Sequence, residues 1–203
     1  LNYELLKIIE NNVRLPKLVL GDIFAMVSTI TAIKKNINSL NEKSSGLNFE
    51  KIADEYSKRM ISAFRRELVK FPKGAYRSEL YADGILLEKD INKSKNIYLK
   101  VKINITNEKI IVDFRGSDKQ RERQPINVPY SYTMSDTFYA IQYILFGNVP
   151  NIGTQYCPIE IIVDDKSILN AKMPVPVYAR TRTGIHISSL INLALSKDIS
   201  SNV

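Results

Sequence analysis

The stretch IIVDFRGSDKQRERQPINVP, residues 110–129, gathers the side chains best suited by type and spacing to do chemistry. Its apolar start reads as a strand that ends on Asp113, and Gly116 then breaks the chain into a loop crowded with charge. A carboxylate at the end of a strand, turned towards a cleft, could serve as a general base. Asp in that position also commonly caps the following turn by accepting backbone N–H groups. Both roles are open on residue type alone, as is that of a solvated turn. A nucleic-acid patch is the weakest reading, because Arg115, Lys119, Arg121 and Arg123 are interleaved with Asp113, Asp118 and Glu122.

Other candidates are thinner. Arg180 and Arg182 flank Thr181 and precede Thr183 and Gly184, ahead of a final helix whose N-terminus could help to hold an anion. Simple solvent exposure explains the same residues. Asn151 sits in NVPNIGTQYCP (148–158), which reads as an ordered connector, and Asp83-Gly84 in YADG reads as a turn. His186, the only histidine, falls at the edge of an apolar helical face, where a packed ring is commoner than a catalytic one. Cys157, the only cysteine, has no nearby histidine to activate it. One His and one Cys cannot build a zinc site, so no metal is expected on this chain alone. GxSxG, GxxxxGK[ST] and GxGxxG are all absent.

Composition narrows the classes further. With 203 residues, 44% hydrophobic and 25% charged, the chain has the make-up of a globular protein of one domain or two small ones. A single cysteine excludes an internal disulfide and leads us to expect a reducing, cytoplasmic setting. The net charge of +8 would suit nucleic acid, but it divides into +4 over 1–72 and +4 over 73–203, with no focus. No nucleic-acid partner is therefore expected. The most apolar run, LVLGDIFAMVSTITAI (18–33), is broken by Asp22 and is shorter than the roughly 20 residues of a membrane span, so no membrane is expected either. The chain opens on Leu1, already in a helical pattern, as the inside of a longer polypeptide or a subunit lacking its first residues would.

Several elements must position these residues. Pro16 suits a first helical turn, and Ile23, Val27, Ile30 and Ile37 follow helical spacing, broadened by Met26 and Ile33. Ser44-Ser45-Gly46 ends that helix. Asn48 is a candidate N-cap for a second, with Phe49, Ile52, Ala53, Tyr56, Met60, Ala63 and Phe64 on one face, and Pro72 stops it. The period then changes to two. AYRSELYAD (75–83), IYLKVKINI (97–105) and KIIVDF (109–114) are predicted strands, the last two close enough for a hairpin. A charged loop around Lys89, Asp90 and Lys93 joins the first two. A helix is predicted from about Ser135 to Phe146, a strand at 158–164, and a last helix marked by Ile187, Leu190, Ile191, Ala194 and Leu195. The expected class is α+β, with N-terminal helices packed on an antiparallel β-meander and mixed α/β elements after it. The expected division is a helical region, 1–72, and an α+β region, 73–203.

Four segments, taken in order, resemble the hydantoinase B/oxoprolinase family. NNVRLPKLVLGDIFAMVSTITAIKKNI (11–37) is similar to its N-x-R-x-P start leading into Gly-Asp and a long helix. FPKGAYRSELYADG (71–84) resembles its Pro-x-Gly-x-Tyr segment, and VDFRGSDKQRERQPINVP (112–129) its Asp-Phe-x-Gly-Ser and Asn-x-Pro motifs. NVPNIGTQYCPIEIIVDDKSILNAKMPVPV (148–177) is similar to its Pro-x-Asn-x-Gly and Ser-Leu-Leu-Asn-Ala series, with Cys157 where arginine is usual.

The resemblance implies a B-type subunit that acts with an ATP-binding A-type subunit or domain in a hetero-oligomer. The chemistry implied is ATP-dependent hydrolysis of a cyclic amide, 5-oxoproline or N-methylhydantoin, or carboxylation of a ketone. ATP and a divalent metal are implied for the full assembly, and no cofactor for this chain alone. The family's His- and Asp-rich metal motifs precede the region that this chain resembles. It is therefore expected to be a segment or shortened form that does not turn over by itself. The alternative is a non-catalytic scaffold that keeps the family fold. Asp113 is the catalytic candidate; Gly116, Asn127, Asn151, Arg180 and Arg182 are the candidates for positioning substrate or loop.

Overall fold

The computed structural model describes residues 2–43, 48–84, 96–147 and 158–199. Asn151, Cys157 and the loop of Lys89, Asp90 and Lys93 lie outside them. In chain order the elements are α1 (Tyr3–Asn12), α2 (Pro16–Lys43), α3 (Phe49–Leu68), β1 (Gly74–Ala82), β2 (Ile97–Ile105), β3 (Ile110–Asp113), α4 (Tyr130–Leu145), β4 (Ile159–Ile162) and α5 (Thr181–Ile199). Two compact units divide the chain, Leu1–Asp54 and Glu55–Val203, with the boundary inside α3.

In the first unit, Asn2 caps α1 by accepting the Leu5 N–H at 3.2 Å. Asn48 caps α3 in the same way, taking the Lys51 N–H at 3.0 Å. α2 starts on Pro16 and runs for 28 residues. The count of apolar residues in the sequence stopped at residue 33; the helix carries on through Ile37 and Leu40 to Lys43. That corrects the expectation about length, since α2 is long and apolar enough to cross a membrane by length and composition alone. Ile23, Met26, Ile30, Ile33, Ile37 and Leu40 alternate at spacings of three and four, which places them in one stripe along the helix. All but Ile23 are exposed. Asp22, Ser28, Lys35 and Asn36 fall outside that stripe.

In the second unit, a four-stranded sheet runs in the order β1-β2-β3-β4. β1, β2 and β3 form the expected antiparallel meander, and the class is α+β. β4 joins β3 in parallel, so the segment holding α4 is a crossover. Alternation decides the two faces. Leu99, Val101, Ile103, Ile105, Ile110 and Val112 point inwards and are buried. Ile187, Leu190, Ile191, Ala194 and Leu195 of α5 are buried in the same core cluster. The end of α3 closes the core, with Phe64 stacked on Phe146 at 3.8 Å between ring centres and Leu68 fully buried.

Two helix starts differ from expectation. α4 begins at Tyr130, five residues ahead of Ser135. Pro129 serves as its N-cap residue and its carbonyl accepts the Tyr132 and Thr133 N–H groups. α5 begins at Thr181, so Arg182 lies within its first turn and only Arg180 precedes it. At α4 no side chain caps the start.

Candidate functional site

Among the outward-facing residues of β1 and β2 are Arg77, Glu79, Tyr98, Lys100 and Lys102, since strand alternation turns every second side chain away from the core. Register sets Arg77 opposite Lys102, and Lys102 opposite Asp113 of β3; Glu79 sits opposite Lys100. Together with Arg115 they line an open trough of about 550 Å³.

Arg115 engages both oxygens of Asp113. Its Oδ1 accepts the Arg115 backbone N–H at 3.0 Å and Arg115 Nε at 2.9 Å, and its Oδ2 accepts Arg115 Nη2 at 2.6 Å. The Arg115 guanidinium holds the carboxyl below its ordinary range, against partial burial. Such a group stays ionised and is a weak base near neutrality. Across the trough, the Tyr98 hydroxyl donates to Glu79 Oε2 at 2.6 Å, a bond that pushes the phenol up to about 12.

Gly116 takes a left-handed φ of +83°, and its N–H donates to Asp164 Oδ2 at 2.8 Å. A Cβ there would lie 2.5 Å from Lys100 Cε and 2.6 Å from Nζ, so the absence of a side chain lets Lys100 lie across the turn. Ser117 completes the join, its Oγ accepting the Lys100 N–H at 3.1 Å.

The remainder of the loop is knitted to residues 164–172. Gln120 N–H donates to the Lys166 carbonyl at 2.8 Å, Ile168 N–H to that of Asp118 at 2.8 Å, and Val128 N–H to that of Ile168 at 2.8 Å. Asn127 is the hub and is fully buried. Its Nδ2 donates to the carbonyls of Arg121 (2.8 Å), Gln124 (2.9 Å) and Pro176 (2.9 Å), while Oδ1 accepts the Arg121 N–H at 2.6 Å. Arg121 pairs with Asp118 at 2.7 Å.

Asp113 therefore lines the trough, Gly116 lies in the turn beside it against Lys100, and Asn127 braces the loop. Arg180 and Arg182 are exposed at the start of α5 and do not line the trough. Sequence reasoning passed over Arg77, Glu79, Tyr98, Lys100 and Lys102. A signal was present, because Tyr98, Lys100 and Lys102 alternate with apolar residues in IYLKVKINI. Among the described residues, no group of three or more His, Cys, Asp or Glu side chains could hold a metal ion. The metal implied by the resemblance finds no ligand set among them.

The hydantoinase B/oxoprolinase profile matches residues 1–203. The chain belongs to that family. It is 28% identical over 200 residues to the putative B subunit of a D-/L-hydantoinase from Pseudomonas sp. (strain NS671), covering 94% of this chain and 33% of that one. An uncharacterised protein of Methanocaldococcus jannaschii is 28% identical over 188 residues, with coverage of 87% and 30%. The chain thus spans about a third of the length of the curated relatives it matches. Its fold is similar to that of the ATP-dependent caprolactamase from Pseudomonas jessenii, with a TM-score of 0.76, 17% identity, and 98% of this chain on 34% of that one. Nucleotide-free acetone carboxylase gives a TM-score of 0.73 at 14% identity, with coverage of 97% and 26%.

Proposed function

We propose that this hydantoinase B family chain is a segment or shortened form of a B-type subunit, which works with an ATP-binding A-type subunit in the cytoplasm. The family match over residues 1–203 carries this reading. Its relative in Pseudomonas sp. is named as part of a hydantoinase, which favours a cyclic amide such as 5-oxoproline or N-methylhydantoin over a ketone as the substrate. An unactivated amide is a poor electrophile, and ATP supplies a phosphoryl group that turns the amide oxygen into a leaving group. The 110–129 loop gives the chain a braced wall for that assembly, since its backbone at Asp118, Gln120 and Val128 bonds to Lys166, Ile168 and Ala171. The exposed stripe of α2 supports packing against further polypeptide, and Lys34 and Lys35 within that helix argue against a span.

The test is affinity purification of the native protein, followed by assay with 5-oxoproline and N-methylhydantoin. The expected result is an ATP-binding partner in the complex and ring opening that requires ATP. A stable lone monomer, with no partner bearing an ATP site, would sink the proposal.

A second reading, a non-catalytic scaffold, is favoured by one observation: the carboxylate best placed for chemistry is already closed on Arg115. Under that reading, removing the trough charges leaves turnover of the assembled enzyme unchanged, while loss of the chain prevents assembly.

A further inference from the structure

We infer that the trough on the outer face of the sheet binds a small oxyanion, a carboxylate or phosphate carried by a low-molecular-weight ligand. Four cations and two anions line it: Arg77, Lys100, Lys102 and Arg115 against Glu79 and Asp113. Glu79 accepts the Tyr98 hydroxyl and faces Lys100, while Asp113 pairs with Arg115 and faces Lys102, so the lining keeps an excess of two positive charges. Arg77, Lys100 and Lys102 have neither an ion pair nor a side-chain hydrogen bond among the described residues.

Two features make this more than scattered surface charge. Arg77 and Lys102 stand directly opposite each other in the β1–β2 ladder, an arrangement of like charges that costs stability. An anion between them offsets that repulsion. The third cation is placed by the turn, because the bare Cα of Gly116 allows the Lys100 stem to rest within 2.6 Å of where a Cβ would be. A cavity of about 550 Å³ has the size of a small-molecule pocket. Arginine supplies a planar fork for two oxygens, and the two ammonium groups supply point charges beside it. The site stands whether or not the chain serves an amidohydrolase.

The test is an NMR titration of the 203-residue chain at low ionic strength with inorganic phosphate and, separately, glutarate. Saturable shifts are expected in the amides of 77–79, 98–102 and 115–117, and the tighter of the two ligands identifies the oxyanion. Arg77→Gln/Lys100→Met/Lys102→Gln should raise Kd by about tenfold or more through loss of charge-assisted hydrogen bonds. Lys58→Gln, an exposed cation elsewhere, should leave it within about twofold. If the triple variant loses spectral dispersion, Lys102→Gln alone decides, with weakening of about threefold or more expected. Shifts that never saturate, or an affinity unchanged in the variants, would overturn the site. So would an oligonucleotide that shifts the same amides while phosphate and glutarate shift none. Turnover is not the readout, so failure here is separate from failure of the proposed function.

Discussion

Asp113 and Arg115, two residues apart, close on each other: Nη2 meets Oδ2 at 2.6 Å, and the backbone N–H of the same arginine reaches Oδ1 at 3.0 Å. The carboxylate thereby shapes the turn that carries Gly116. Asp113→Asn keeps an acceptor for that N–H and loses the ion pair, which is weak because water screens the exposed arginine. Turnover of the assembled enzyme should fall by less than about tenfold. A folded variant that loses a hundredfold or more would establish general-base catalysis instead. The pH dependence has a definite sign. Arg115 lowers the folded carboxyl, so its contribution is complete above the unfolded value of about 3.9 and is lost as pH falls below that value through the folded one. Acid denaturation curves of wild type and Asp113→Asn should therefore converge at the acid end.

Gly116→Ala forces a side chain into a φ of +83° and onto Lys100. The lysine tip can move aside; the backbone cannot. A loss of about 1 kcal/mol or more is expected by urea denaturation, and most of it should persist in a Lys100→Ala background. Complete relief by Lys100→Ala would locate the cost in the clash rather than in the backbone.

Asn127→Ala removes the donor of three carbonyls and the acceptor of one N–H at a fully buried position. Leaving buried polar groups unpaired should cost about 2–4 kcal/mol, with the denaturant slope unchanged. Asn127→Asp should be no better, because a carboxylate cannot donate to carbonyls. A stable Asn127→Ala protein that has lost activity would move this residue from loop bracing to ligand contact.

The residues that were easy to read are those whose signal is local. Asn48 announced a cap and used it, and the alternation in IYLKVKINI fixed which side chains of β2 face outwards. What was hidden depends on register between distant strands. Lys102 meets Arg77 only through a hairpin whose connecting loop carries no pairing signal, and Asp164 reaches Gly116 N–H across 48 residues of sequence. The start of α4 was hidden for another reason: Pro129 ends an extended stretch and offers no side-chain acceptor, so nothing at that position marks the start of a helix. A strand running into a glycine and a cluster of charge marked the 110–129 loop in the sequence, and only the packed structure shows that Asp113 closes on Arg115 and Asp118 on Arg121.

Asp136 offers a pH dependence of opposite sign. Partial burial on α4 raises its carboxyl above the ordinary range, so the folded state holds the proton more tightly than the unfolded chain. Stability is lost as pH rises from the unfolded value through the folded one. Asp136→Asn should raise Tm at pH 7, and the gain should vanish at a pH low enough to protonate the carboxyl in both states. A lower Tm at pH 7 would mean that the ionised carboxylate has a favourable partner in the native protein.

Gly184 lies in the first turns of α5, where alanine would ordinarily stabilise the helix by about 1 kcal/mol. Here its Cβ would run into the ring of Tyr132, contacting Cε1 and lying 2.9 Å from Cζ. Tyr132 packs against the core and cannot swing freely outwards. Gly184→Ala should therefore destabilise the protein by about 1–3 kcal/mol, an overpacking cost that exceeds the helix gain. Removing the ring tests the cause. Tyr132→Ala will cost stability by itself, yet in that background Gly184→Ala should turn neutral or stabilising. A double-mutant cycle with no coupling between the two positions would show that the glycine serves something other than the close approach of α4 to α5.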